Sequence, residues 1–191
     1  MKFLAISSSS RKNGNTSILL NRTLAELHKE GIETEMLLLS EQIIEPCKAC
    51  WGCSGKKNCV NRNDNFREIF DKMKKADGII LGSPVHSANI SANMQALLER
   101  SAVISDMNPG LFTHKIGAAV VAARRGCALN ALDALNHFFL NHEMFVVGST
   151  YWNMAYGRLP GDVNKDAEGL ACMENMGKNM AFLLKALNSK A

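Results

Sequence analysis

The chain has 191 residues, of which 47% are apolar and 21% charged, and its formal net charge is +4. This length predicts one domain that buries its own core, and the composition excludes a disordered chain. Lysine and arginine are spread along the sequence, which argues against a nucleic-acid surface. No apolar run approaches eighteen residues, so we expect no membrane span. The apolar run that follows Met1 is too short for a signal peptide, and we expect a cytoplasmic location.

The N-terminal residues predict a strand at 2–6, a polar loop at 7–17 and then an amphipathic helix. Free amides at the start of a helix, together with serine and threonine hydroxyls and the cation Arg11, favour an anion in this loop. The loop lacks the glycine patterns of dinucleotide and nucleoside-triphosphate sites, so a phosphate monoester is the better ligand. The alternative is that Asn15 or Thr16 simply caps the helix.

Residues 33–39 predict a second strand, and a cysteine-rich segment follows it directly. Four of the six cysteines fall within thirteen residues, separated by two, two and five residues; they are Cys47, Cys50, Cys53 and Cys59. Such spacing allows four thiolates to reach one metal centre, and Gly52 and Gly55 allow the loop to turn. A single four-iron, four-sulfur cluster fits the spacing best. Structural zinc, disulfides and an empty loop are the alternatives.

A helix at 65–75, in which Asp64 is placed to cap the first turn, leads into a third strand at 78–82. The loop after that strand leaves the edge of a parallel sheet at which ligands bind. Pro84 and its small polar neighbours suit the face of a planar ligand. His86 is either a stacking partner for such a ring or a plain loop histidine.

A fourth strand at 114–123 ends in Arg124, Arg125 and Gly126. The two arginines either neutralise an anionic flavin or a nucleotide phosphate, or they are ordinary surface charge. The remaining segments are helices at 91–101, 128–140 and 166–187, a fifth strand at 144–148, and an aromatic loop at 151–161 that covers a ring or makes a subunit contact.

Five strands that alternate with helices, without an internal repeat, predict an α/β fold. We expect a flavodoxin-like, doubly wound, five-stranded parallel sheet of order 2-1-3-4-5 with helices on both faces. The whole chain, 1–191, is predicted to be one domain, with the cysteine loop inserted at about 46–62.

Several stretches of the sequence are similar to the iron–sulfur flavoproteins, a group within the NAD(P)H-dependent FMN reductases. The stretches that carry this resemblance are residues 7–17, 47–59, 82–86, 123–126 and 142–148. Two positions depart from the family: His86, where tyrosine is common, and the Arg124–Cys127 turn, where glycines are usual. The resemblance extends over essentially the whole chain.

The resemblance implies FMN and a [4Fe-4S] cluster as cofactors and assigns residues to each. The FMN phosphate would be held by the first loop, through Ser7, Ser9, Arg11, Asn13, Asn15, Thr16 and Ser17. The isoalloxazine ring would meet Pro84, Val85, His86, Ser87, Arg124, Arg125 and Gly126. The iron ligands would be Cys47, Cys50, Cys53 and Cys59. The family also implies a homodimer or homotetramer in which the cluster of one subunit lies near the flavin of another.

The function predicted from these features is electron transfer between a one-electron carrier such as ferredoxin and an acceptor, through FMN. No residue is predicted to be catalytic, since the cofactors carry the chemistry. The alternative is an NAD(P)H-dependent reductase of flavin, quinone or a small aromatic substrate, whose cysteine loop holds zinc or nothing. A redox sensor without enzymatic activity is a third reading.

Overall fold

The computed structural model describes residues 1–189, which form six strands and five α-helices. The strands are β1 (Lys2–Ser7), β2 (Glu33–Leu38), β3 (Gly78–Pro84), β4 (Ile116–Ala123), β5 (Phe145–Val146) and β6 (Met154–Tyr156). The helices are α1 (Asn15–Lys29), α2 (Phe66–Lys75), α3 (Ala92–Asp106), α4 (Ala128–Asn141) and α5 (Ala167–Asn188). Over residues 1–189, no helix combines the length and apolar character needed to cross a membrane.

The sheet is parallel and its order is β2-β1-β3-β4-β5, so the predicted order is confirmed. Strands β3 and β4 lie at the centre because their residues are apolar or small on both sides, and every residue from Ile116 to Ala123 is buried. The carboxyl ends of β1, β3 and β4 consequently meet at one edge of the sheet.

The fifth strand differs from the prediction because it is split. Residues 145–146 pair with the start of β4, whereas Met154–Tyr156 pair with its end, opposite Val121–Ala123. The chain leaves the sheet between these two pairings, and the Asn153 amide donates to the Val147 carbonyl at 3.3 Å across the gap. The predicted bounds of the fifth strand, 144–148, are therefore wrong, because only residues 145–146 form a strand there. A further strand, β6, lies within the aromatic loop at 151–161.

Helices cover both faces of the sheet and enclose two apolar cores. Helices α2, α3 and α4 pack on one face through residues such as Phe70, Leu97 and Leu135. Helices α1 and α5 pack on the other, through residues such as Leu20 and Met176. This arrangement leaves the loops at the carboxyl edge free to form a site.

Gly117 in β4 allows Phe139 of α4 to lie against the sheet. A Cβ atom at this glycine would lie 2.6 Å from Cδ1 and 2.7 Å from Cγ of Phe139. We expect Gly117→Ala to lower the free energy of unfolding by about 1–3 kcal/mol, the usual cost of overpacking a core. Urea unfolding of the apoprotein measures this loss. The control is Gly148→Ala, where the added atom meets nothing within 4 Å; equal stability of the two variants would contradict the prediction.

Candidate functional site

A cavity of about 180 Å³ lies at the carboxyl edge of the sheet, and we call it the carboxyl-edge cavity. The loops after β1, β3, β4 and β6 enclose it. Its lining residues are Ser9, Ser10, Arg11, Asn15, Thr16, Pro84, Val85, His86, Ala122, Arg124, Gly157 and Arg158. The topology thus brings together four segments that are far apart in the sequence.

Eight of the fourteen residues predicted to bind the cofactor line this cavity: Ser9, Arg11, Asn15, Thr16, Pro84, Val85, His86 and Arg124. Sequence reasoning missed Ser10, Ala122, Gly157 and Arg158. Ser10 belongs to the serine run that was already singled out. Gly157 and Arg158 follow β6, the strand that the sequence did not predict, but they lie in the loop at 151–161 that was expected to cover a ring or make a subunit contact.

The first loop presents unpaired donors to the cavity. Helix α1 begins at Asn15, and its N-cap residue, Gly14, offers no side chain to the free amides of the first turn. The Thr16 hydroxyl is buried and has no hydrogen-bond partner among the described residues. Arg11, Arg124 and Arg158 add positive charge around the same space. An orphaned buried hydroxyl at a helix N-terminus, surrounded by cations, suits a phosphate group.

The loop after β3 is held in a fixed shape by backbone hydrogen bonds. The Val85 amide donates to the Ala122 carbonyl at 2.9 Å. His86 and Asn89 form a two-residue antiparallel bridge, with N–O distances of 2.8 and 2.9 Å. Ser87 lies at the exposed tip of this turn, with a φ of 46°, and does not line the cavity. The turn therefore holds His86 beside the cavity and directs the chain away from it at Ser87.

Other predicted residues lie outside the cavity. The hydroxyls of Ser7 and Ser17 are buried and bond to each other at 3.3 Å, joining the end of β1 to α1. Asn13, Arg125 and Gly126 occupy exposed turns and do not line it either. The cofactor-binding role of these five residues and of the exposed Ser87 stays a prediction. The Ser7–Ser17 bond gives that pair a second role, which is to brace the loop.

A second cavity, of about 110 Å³, lies beside the segment between β2 and α2, and we call it the cysteine cavity. All four cysteines of the sequence motif line it, together with Pro46, Lys48, Trp51, Val60, Asn61, Arg100, Val103 and Ile104. The segment turns repeatedly, with positive φ at Ala49, Trp51, Gly55 and Lys57. Gly52 is needed for a different reason, because a Cβ there would lie 2.9 Å from Val60 Cγ2.

All four cysteines of the segment line this cavity. Across residues 1–189, no three His, Cys, Asp or Glu side chains are grouped so as to hold one metal ion. A zinc ion would need its sulfur ligands at about 2.3 Å from one centre. In a cubane cluster each cysteine sulfur binds a different iron atom, so the four sulfurs lie farther apart. Burial raises the pKa of the Cys53 thiol, and the other three cysteines add to this effect. A soft donor set around a small, largely apolar space fits a cluster.

Sequence reasoning missed Arg100, a buried arginine in the wall of the cysteine cavity. Its side chain is 2% exposed and forms an ion pair with Asp64, whose side chain is fully buried. Asp64 also accepts a hydrogen bond from the Phe66 amide at 3.3 Å, at the start of α2 where it was predicted to cap the helix. It therefore contacts the first turn of α2 in addition to pairing with Arg100. The signal in the sequence was a charged residue at helical spacing between Leu97 and Ile104, on the buried face of α3.

Asp64 and Arg100 both remain charged, because their hydrogen bonds and their mutual attraction outweigh the cost of burying the two charges. Burial alone would raise the pKa of the Asp64 carboxyl. Hydrogen bonds from Arg100 and from the Glu45 amide, together with the charge of Arg100, hold that pKa below its usual range. Arg100 therefore has a permanent counter-charge inside the protein.

The sheet order, the helices on both faces and the loop cavity at the carboxyl edge define a flavodoxin-like protein. Solved structures share this fold. RosB, crystallised with 8-demethyl-8-formylriboflavin-5'-phosphate, superposes with a TM-score of 0.79 at 17% identity over 99% of this chain and 81% of its own. An archaeal flavodoxin superposes with a TM-score of 0.63 at 14% identity over 97% of this chain and 99% of its own.

Sequence comparison is more specific. The sequence model of the NADPH-dependent FMN reductase family matches residues 1–158. An iron–sulfur flavoprotein of Methanocaldococcus jannaschii is 37% identical over 98% of this chain and 99% of its own length. One of Methanosarcina thermophila is 31% identical over 98% and 97%. The chain belongs to the NADPH-dependent FMN reductase family and, within it, to the iron–sulfur flavoproteins. It is a flavin-dependent oxidoreductase.

Proposed function

We propose that this protein carries FMN and one [4Fe-4S] cluster and transfers electrons between a one-electron carrier such as ferredoxin and an acceptor. The observation that carries the proposal is the cysteine cavity, in which all four thiols of one short segment line a single space. FMN exchanges electrons singly or in pairs, and a cluster exchanges them singly. The two cofactors together would therefore couple one-electron transfer to two-electron transfer.

In this proposal the carboxyl-edge cavity holds FMN. The Thr16 hydroxyl and the first amides of α1 bind the phosphate, since they are donors that the fold leaves without partners, and Arg11 adds a positive charge beside them. The loop from Pro84 to His86 lies along the ring, because its backbone is already fixed by the bond to Ala122. Arg124 adds positive charge near the ring, which favours the anionic reduced flavin.

The cysteine loop holds the cluster through Cys47, Cys50, Cys53 and Cys59, in one domain that extends over residues 1–191 with the insertion at about 46–62. The two cavities share no lining residue, so each cofactor would have its own site. We propose a homodimer or homotetramer that brings the cluster of one subunit near the flavin of another. A cytoplasmic location is part of the same proposal, because free thiols and iron need a reducing compartment.

A second candidate function is NAD(P)H-dependent reduction of flavin, quinone or a small aromatic compound, with zinc or nothing in the cysteine loop. The family to which the chain belongs supports it. The two candidates differ in metal content and in electron donor. The four-iron cluster has the better support, because the cysteine spacing suits its ligands and all four cysteines line one largely apolar space.

The test is anaerobic purification followed by FMN, iron, zinc and acid-labile sulfide analysis of one sample. About one FMN with four iron and four sulfide per chain is the content of a cubane on four cysteines. We then expect rapid reduction of the flavin by reduced ferredoxin and slow reduction by NADH or NADPH. FMN with zinc, or FMN without metal after anaerobic reconstitution, would overturn the proposal and favour the simple reductase.

A further inference from the structure

The cysteine loop is attached at two places, to helix α3 and to Asn108, which lies just beyond the end of that helix. Near its middle, the Asn108 amide donates to the Cys53 carbonyl at 3.1 Å, and the Asn108 side-chain oxygen accepts from the Lys57 amide at 3.1 Å. Near its two ends, Arg100 donates to the Glu45 carbonyl at 3.0 Å and contacts Cys59. The loop is therefore hydrogen-bonded to α3 and to the segment that follows it.

The contact between Arg100 and Cys59 joins a guanidinium nitrogen to a sulfur atom. The Arg100 Nη2 atom lies 3.1 Å from Cys59 Sγ. The other terminal nitrogen, Nη1, is engaged by Asp64 and by the Glu45 carbonyl. The guanidinium also lies over the ring of Phe66, 4.0 Å from its centroid. Asp64, the Glu45 carbonyl and the Phe66 ring thus fix the plane of the guanidinium and direct its Nη2 atom at the sulfur.

Cys59 is also fixed through its backbone. Its amide donates to the Asn58 side-chain oxygen at 2.7 Å, and the Asn58 amide donates to Asp71 of α2 at 2.9 Å. Arg67 of α2 donates to the Cys59 carbonyl. The backbone of Cys59 is held by α2 while its sulfur faces a cation from α3, so the sulfur has one defined position.

We propose that Arg100 is a positioning residue that orients Cys59 as a cluster ligand and raises the reduction potential of the cluster. When the cluster accepts one electron from a one-electron carrier, it gains one negative charge and the carrier is oxidised by one electron. A fixed cationic donor at a ligand sulfur stabilises the more negative state, so reduction becomes easier. This inference rests on the proposed cluster.

Arg100→Lys is the decisive variant. Lysine keeps a positive charge beside Asp64. Its single ammonium group, on a shorter side chain, cannot contact both Asp64 and Cys59 in the present geometry. We expect iron, sulfide and FMN contents close to those of the unmodified protein. At a fixed potential, we expect the ratio of reduced to oxidised cluster to fall about tenfold, which is a shift of about 59 mV for a one-electron couple. An anaerobic redox titration, followed by electron paramagnetic resonance, measures it.

Two further variants make the comparison specific. Arg22→Lys makes the same change at a surface ion pair with Glu174, and we expect its cluster potential to equal that of the unmodified protein. If Arg100→Lys does not fold with FMN, the double variant Arg100→Gln, Asp64→Asn removes both buried charges together, and a smaller fall in potential is expected, because losing the negative charge of Asp64 offsets part of the effect.

The outcomes separate this inference from the function on which it rests. A cluster in the unmodified protein with an unchanged potential in Arg100→Lys would overturn the role of Arg100 alone. No cluster in the unmodified protein would overturn the proposed cluster and this role together. If neither variant folds with FMN, Arg100 supports the fold only, and the inference is wrong.

Discussion

Cys50→Ser is expected to remove the iron from this protein while leaving its flavin in place. Cys50 lies between Cys47 and Cys53 in the loop and is the exposed member of the four. A serine hydroxyl is a poor ligand for iron compared with a thiolate, and three remaining thiolates leave one corner of a cubane without a protein ligand. We expect iron and sulfide to fall from about four to below about one per chain after anaerobic purification.

The flavin should be unaffected, because the carboxyl-edge cavity shares no residue with the cysteine cavity. FMN absorbance per chain and iron analysis on the same sample give the two readings. Cys127→Ser is the matched control, since Cys127 is also an exposed free thiol but lies outside the cysteine loop. Full iron content in Cys50→Ser, or an equal loss in the control, would show that the loop does not hold a four-cysteine cluster.

Thr16→Val is expected to weaken FMN binding about 10- to 100-fold and to stabilise the apoprotein. The Thr16 hydroxyl is buried without a partner among residues 1–189, and an unsatisfied buried hydroxyl costs about 1–3 kcal/mol. Valine has the same shape and removes that cost from the apoprotein. If the hydroxyl donates to the FMN phosphate, valine also removes a hydrogen bond to a charged group, which contributes about 1.5–3 kcal/mol to binding.

Thr23→Val provides the matched control on the same helix. The Thr23 hydroxyl is buried and already paired, donating to the carbonyls of Leu19 and Met173 at 3.4 and 3.2 Å. Its loss should lower the stability of the apoprotein by about 1 kcal/mol and leave FMN affinity unchanged. Fluorescence titration of the apoproteins with FMN, beside urea unfolding, separates the two effects. Equal FMN affinity in Thr16→Val and the unmodified protein would contradict the assignment of the phosphate site.

The two substitutions also separate the candidate functions. An electron-transfer flavoprotein loses its exchange with ferredoxin in Cys50→Ser, even though FMN remains bound. A simple NAD(P)H-dependent reductase keeps its activity in the same variant and loses it in Thr16→Val at limiting FMN. Comparing the two variants with both electron donors therefore tests the function independently of the metal analysis.

The sequence by itself determined the order of the sheet and the cysteine segment, because both depend on local patterns. The apolar runs of β3 and β4 indicated buried central strands, and the strand order followed from their alternation with helices. The spacing of the four cysteines singled out one short segment, and the structure places all four around one cavity. The first loop was similarly readable, since a strand, a polar turn and a helix N-terminus follow one another directly.

Only the tertiary structure decided which residues complete each site. Arg100 meets Cys59 across 41 residues, and no local pattern records that pairing. Gly157 and Arg158 reach the carboxyl-edge cavity only because the fifth strand is split and its second part pairs with the end of β4. Such contacts depend on how distant segments pack, and one sequence carries little information about packing between segments that are far apart. Spacing along the chain therefore singled out the four cysteines, while the fold brought Arg100 into contact with one of them.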